Sequence, residues 1–111
     1  MKCNYTVGTT LVEVKDLRFE WDERKAASNR RKHGVSFEEA RSVFLDEDAL
    51  QIPDPEHSDA EDRFVMLGLS NQLRILVVCH CYRESDEVIR IISARKADRG
   101  ERAQYEHRRR R

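Results

Sequence analysis

Three apolar runs in the C-terminal half do most to limit what this chain can fold into. They are Arg63-Phe-Val-Met-Leu-Gly-Leu69, Arg74-Ile-Leu-Val-Val-Cys79 (continuing to Tyr82) and Val88-Ile-Arg-Ile-Ile92 (continuing to Ala94). Each reads as a β-strand, rich in branched apolar residues and bounded by turn-forming ones. The connections between them are only Ser70-Asn-Gln-Leu73 and Arg83-Glu-Ser-Asp-Glu87. Links this short join antiparallel neighbours, because a parallel pair needs a long crossover. Asn71 is the residue in the first link best able to adopt the left-handed conformation.

The N-terminal half supplies helices. Phe19-Glu-Trp-Asp22 alternates, so it reads as a short strand with Phe19 and Trp21 inward. Asp22 suits a helix N-cap, and the helix from Lys25 runs to His33 and ends at Gly34. Ser36-x-x-Glu39 matches a capping box for a second helix, with Val35 as its staple. Ala40, Val43 and Phe44 form that helix's apolar stripe, which stops near Leu45 or Asp46. Ala49 to Ile52 is a short strand ended by Pro53, and Asp54 to Asp62 is a polar loop. At the C-terminus Asp98 is an N-cap for a last helix whose Tyr105 completes little of an apolar face. Its terminal run Arg108 to Arg111 should fray, because like charges repel. The expected class is α+β: an antiparallel sheet of four to five strands, two N-terminal helices and one C-terminal helix. Residues 1–18 form a lead-in, either disordered or a short strand at Leu11 to Val14; 19–107 form the domain; 108–111 are a basic tail.

A length of 111 residues allows one core and not two. No stretch approaches the roughly 20 apolar residues of a membrane helix, and no export signal opens the chain, so the expected place is the cytosol, without a membrane partner. The three cysteines are then most simply reduced thiols. The formal net charge of +0 hides segregation. Residues 38–62 carry ten acids against one base, whereas residues 90–111 carry nine bases against three acids, and residues 24–33 five bases and no acid. Basic clusters of this kind attract phosphate backbones whatever the total charge.

Several residue types invite a chemical reading. Lys32 and His33 sit at a helix C-terminus, where the helix dipole favours cations. They are either surface residues that stabilise the helix end or members of a site. On the last strand, alternation puts Ile91, Ser93 and Arg95 on one face and Arg90, Ile92 and Ala94 on the other, so each face is interrupted by an arginine. These arginines either bind phosphate or snorkel out of the core. Arg63 opens a strand and Arg83 closes one, within reach of the same groove, although strand ends are often charged. Tyr105 either stacks on a base or packs its helix on the sheet. Glu38 either orients His33 or favours its helix's N-terminus by charge. Cys79 and Cys81 share a face with His80 on the other, and no second ligand pair accompanies them, so no metal site is expected. No Gly-rich phosphate loop, serine triad or paired-carboxylate pattern is present.

The residues Phe19-x-Trp21-Asp22, Lys25, Asn29, Lys32-His33-Gly34-Val35, Phe37-Glu38-x-Ala40, Asp54, Arg63, Gly68, Val77-Val78, Arg90-Ile-Ile-Ser-Ala-Arg95-Lys-Ala97 and Glu101 to Tyr105 stand in an order that resembles the BrnT family of toxin–antitoxin ribonucleases, along about residues 19–106. The lead-in before Phe19 and the terminal arginine run depart from that pattern. The resemblance implies a RelE-like fold and metal-independent RNA cleavage that inhibits translation. It also implies neutralisation by a BrnA-like ribbon-helix-helix antitoxin, with operator DNA bound only through that antitoxin, as in a heterotetramer. Cleavage of this kind uses the substrate's 2′-hydroxyl as nucleophile and needs a base, an acid and cations around the phosphate. The expected catalytic set is Lys32, His33, Arg63, Arg90 and Arg95, with Arg83, Lys96 and Tyr105 binding RNA and no cofactor. The acidic stretch is a solvated face or a surface for a basic antitoxin. The other reading of the same cations is a module that binds nucleic acid, or serves as co-repressor, without cleaving.

Overall fold

A computed structural model describes residues 9–14, 17–54, 62–83 and 87–110. The middle of the acidic loop (55–61), the centre of the turn at 84–86 and Arg111 lie outside the described residues.

Local signals act where the sequence puts them. Strand β1 (Thr9–Val14) pairs antiparallel with β2 (Leu17–Asp22), whose Phe19 and Trp21 are fully buried. The Asp22 carboxylate accepts from the Arg24 N–H at 2.8 Å and caps α1 (Glu23–His33). Gly34 closes that helix at φ 70°, a left-handed conformation that glycine adopts without a Cβ clash. Ser36 caps α2 (Phe37–Ser42), which tightens into a 3-10 turn over Val43–Leu45. Strands β3 (Leu50–Pro53), β4 (Arg63–Leu69), β5 (Ile75–Arg83) and β6 (Val88–Lys96) follow as an antiparallel meander. Helix α3 (Arg99–Arg109) ends the chain with the capping box of Asp98 and Glu101.

The class is α+β, with two N-terminal helices and a C-terminal one. The sheet differs in two particulars from the four to five antiparallel strands expected. Among the described residues it has six, in the order β1-β2-β6-β5-β4-β3, and β2 runs parallel to β6. The parallel pair has a long crossover behind it, since α1, α2 and the whole meander separate its strands. Turn lengths report only on strands adjacent in sequence, so this pairing left no local mark.

Helices α1 and α2 cover one face of the sheet. Phe19, Trp21, Val35, Phe37, Ala40, Val43, Leu76, Val78, Ile89, Ile91 and Ala94 form the core there. Buried Asn29 pins α1 to β6: its Nδ2 donates to the Val35 carbonyl (3.0 Å) and the Ala94 carbonyl (2.8 Å), and its Oδ1 accepts from the Ala94 N–H (3.0 Å). Helix α3 covers part of the opposite face, where Tyr105 and Ala97 pack with Leu67 and Val77.

Three further expectations are corrected. In the β4–β5 turn the left-handed residue is Leu73 (φ 64°), not Asn71. Only half of the box at Ser36 forms. The Ser36 hydroxyl accepts from the Glu39 N–H, but the Glu39 carboxylate is turned inward to Arg74 and to the Ser70 hydroxyl (2.6 Å). The arginine run does not fray at once, because Arg108 and Arg109 are helical and Arg108 Nε donates to the Asp48 carbonyl at 3.0 Å. Among the described residues no helix is long and apolar enough to cross a membrane.

Candidate active site

A single extra residue decides which side chains share the open face of the sheet. Cys79 pairs with Ser93, but His80 pairs with Ile91, so Ile92 has no partner across from it and forms a bulge in β6. Strict alternation puts Arg90 and Arg95 on opposite faces; the bulge shifts the pattern by one residue between them. Ile89, Ile91 and Ala94 all enter the core beneath α1 and α2. Arg90, Ser93 and Arg95 therefore all lie on the other face, which α3 only partly covers.

That face carries a recess of about 350 Å³ lined by Asp54, Arg63, Val65, Val77, Cys79, Ile92, Ser93 and Arg95. Sites for small ligands start at roughly this size. Strand β4 brings in Arg63, whose neighbour Phe64 points the other way against His80 and Tyr82. Asp54 is held beside it because the Asp54 N–H donates to the Arg63 carbonyl at 2.9 Å, extending the β3–β4 ladder. The floor is apolar except for the Cys79 thiol and Ser93. Burial, and then the Asp54 charge, push the Cys79 thiol up from its ordinary pKa, so it stays protonated rather than nucleophilic.

Arg95 is held in place by a carboxylate from α3. Its Nη1 and Nη2 donate to the two carboxylate oxygens of Glu101, each at 2.8 Å. The Arg95 hydrogen bonds, then the backbone N–H of Asp98, outweigh burial and hold the Glu101 carboxyl below the usual range. Farther along the same face, buried Glu20 receives Arg90 Nη1 at 2.8 Å and faces Arg83 Nε at 3.5 Å. Glu20 and Arg90 are register partners in the parallel pair. Arg18 beside them pairs with Glu87 at 3.0 Å.

The structure separates the other candidates from this recess. Lys32, His33 and Glu38 are exposed in the helix layer, on the far side of the sheet from Arg63 and Arg95. Lys32 and His33, expected in one catalytic set with Arg63, Arg90 and Arg95, thus lie on a different surface from them, because the bulge sends Arg95 away from the face that α1 covers. Lys96 also faces the helix layer, since its register partner is the core residue Leu76. Tyr105 is not a stacking platform. It is buried, and its hydroxyl donates to Asp46 Oδ2 at 2.6 Å. Burial, then the Asp46 carboxylate, raise its pKa.

His80 is a core residue, fully buried among Phe44, Phe64 and Tyr82. Cys79 and Cys81 face the opposite way, and among the described residues no three His, Cys, Asp or Glu side chains group as metal ligands.

Asp54, Ser93, Glu20 and Glu101 had no functional role in the reading of the sequence. Glu101 had a detectable signal, since it stands three residues after the N-cap Asp98, the capping-box spacing. Glu20 had none, because its partner is contributed by β6.

A family model described as the ribonuclease toxin BrnT of type II toxin–antitoxin systems matches residues 21–101. The chain is also similar to the Brucella abortus ribonuclease toxin BrnT, known from a 1.1 Å crystal structure. The two are 30% identical with a TM-score of 0.56, over 71% of this chain and 94% of that one. No curated protein sequence matches.

Proposed function

The chain belongs to the BrnT family of ribonuclease toxins of type II toxin–antitoxin systems, and from that premise we propose that RNA is cleaved in the recess between Arg63, Arg95 and Asp54. The observation that carries this reading is the convergence of two arginines and one carboxylate around a cavity whose floor is mostly apolar. The scissile phosphate sits between the two guanidinium groups. Asp54 takes the proton of the 2′-hydroxyl, whose oxygen attacks phosphorus. The P–O5′ bond breaks to leave a 2′,3′-cyclic phosphate, and the departing 5′-oxygen takes a proton from water at the open rim. Arg63 and Arg95 offset the negative charge that grows on the phosphate oxygens. No metal is needed for this route, because the nucleophile belongs to the substrate. Arg83 and Arg90 extend the cationic face toward the flanking nucleotides.

In the cell this activity inhibits translation. A BrnA-like ribbon-helix-helix antitoxin neutralises it, and the complex represses its own operon. The type II pairing of the family supports the partner.

Incubation of the purified chain with RNA in the presence of a chelator tests the reading. Products ending in 2′,3′-cyclic phosphate and 5′-hydroxyl are expected, with rates at least 100-fold lower for Arg63→Ala and Arg95→Ala. Salt-dependent RNA binding without products would make the chain a binding module instead and overturn the proposal.

A further inference from the structure

Glu101 lies outside the lining of the recess, yet it is tied to it through Arg95. Its carboxylate does two things at once. Oε1 accepts from the Asp98 N–H at 2.8 Å while the Glu101 N–H donates to Asp98 Oδ1 at 2.8 Å, closing the box that starts α3. Oε1 and Oε2 of Glu101 also accept from the two terminal nitrogens of Arg95, one each. Helix α3 is itself fixed to the body: Tyr105 bonds to Asp46, and Arg102 Nη1 donates to the Ala97 carbonyl at 2.9 Å. The Arg95 guanidinium is thereby held in one plane by an element anchored elsewhere.

Stability does not explain the arrangement. The pair is partly open to water, with 44% of the Arg95 side chain and 26% of that of Glu101 exposed, and such pairs contribute little to folding. A carboxylate beside a phosphate-binding arginine also weakens the attraction for a polyanion. An arrangement that costs affinity and adds little stability is accounted for by orientation. A guanidinium has five N–H donors, and when two are fixed on Glu101 the rest point in set directions. Donors already aimed at the transition-state oxygens need no reorganisation during the reaction.

We infer that Glu101 is a positioning residue, which orients the Arg95 guanidinium for the cleavage step at the expense of RNA affinity. This rests on the reading of the recess as the cleavage site.

The test uses the full chain and an RNA oligonucleotide. Affinity is measured with its counterpart carrying 2′-deoxyribose at the cleaved position, which binds without reacting. Glu101→Gln keeps an oxygen for the Asp98 N–H and removes the charge. It is expected to bind the deoxy oligonucleotide several-fold more tightly at low salt, yet to cleave bound RNA at least 10-fold more slowly. Glu101→Asp, which keeps the charge, regains part of the rate. Added to Arg95→Ala, Glu101→Gln costs no further rate, because it acts through Arg95.

Loss of helix alone would lower rate and affinity together, in step with the melting temperature, and that result overturns the inference. So does a wild-type rate in Glu101→Gln, or an additive loss in the double variant. If instead Arg95→Ala itself cleaves normally, the recess is not the site and both readings fall.

Discussion

Acidification should destabilise this protein through one buried histidine. His80 is fully buried among Phe44, Phe64 and Tyr82. Its Nδ1 lies 3.1 Å from the Val78 carbonyl and its Nε2 is 2.8 Å from the Gln51 side-chain amide. Burial, partly opposed by the Val78 hydrogen bond, lowers its pKa from 6.5 to about 4. A histidine depressed in the folded state favours folding fully only above its unfolded pKa. As pH falls below 6.5 the unfolded chain takes up a proton that the folded chain refuses. From those two values the loss is about 2 kcal/mol between pH 7 and pH 5, and about 3 kcal/mol by pH 4. Glu39, Asp46 and Glu101 have lowered pKa values, so their own losses come at lower pH. The measurement is urea unfolding at pH 7 and pH 5 for the wild type and for His80→Gln. The wild type should lose about 2 kcal/mol more than the variant across this interval. Equal losses in the two proteins would refute the argument. They would mean that the folded state accommodates an imidazolium donating to both neighbouring oxygens, and that burial does not govern this group.

Other perturbations address single contacts. Arg74→Ala strands the buried Glu39 carboxylate, which is 1% exposed, and should cost about 3 kcal/mol in chemical denaturation, near the low end for a broken buried pair because Arg74 itself is 31% exposed. Gly68→Ala should cost about 1–3 kcal/mol. A Cβ there would lie 2.8 Å from Val43 Cγ1 and 2.9 Å from Ala49 Cβ, and a lowered melting temperature would register the clash. Leu73→Asn should stabilise by roughly 0.5–1 kcal/mol, because asparagine tolerates positive φ better than leucine. The leucine side chain is 81% exposed, so little packing is lost and the gain should appear in the unfolding midpoint.

The amino-acid sequence determined what a few neighbouring residues decide among themselves. Asp22, Gly34 and Asp98 end or begin helices because their side chains or backbones meet needs within three or four positions. The meander from Arg63 to Lys96 follows from short links. The order of residues from Trp21 to Glu101 marks the family. Tertiary structure decided where the chemistry lies. Phe19 and Trp21 show which way β2 faces, but nothing near them says that its neighbour is β6 or that Glu20 will sit against Arg90. Ile92 is an unremarkable strand residue until β5 pairs around it, and that one unpaired position moves Arg95 onto the face of Arg90 and away from Lys32 and His33. Periodicity extends along one strand, whereas a bulge is a property of two. A site assembled from several strands is fixed by their mutual register, which becomes definite only when the sheet closes over its core.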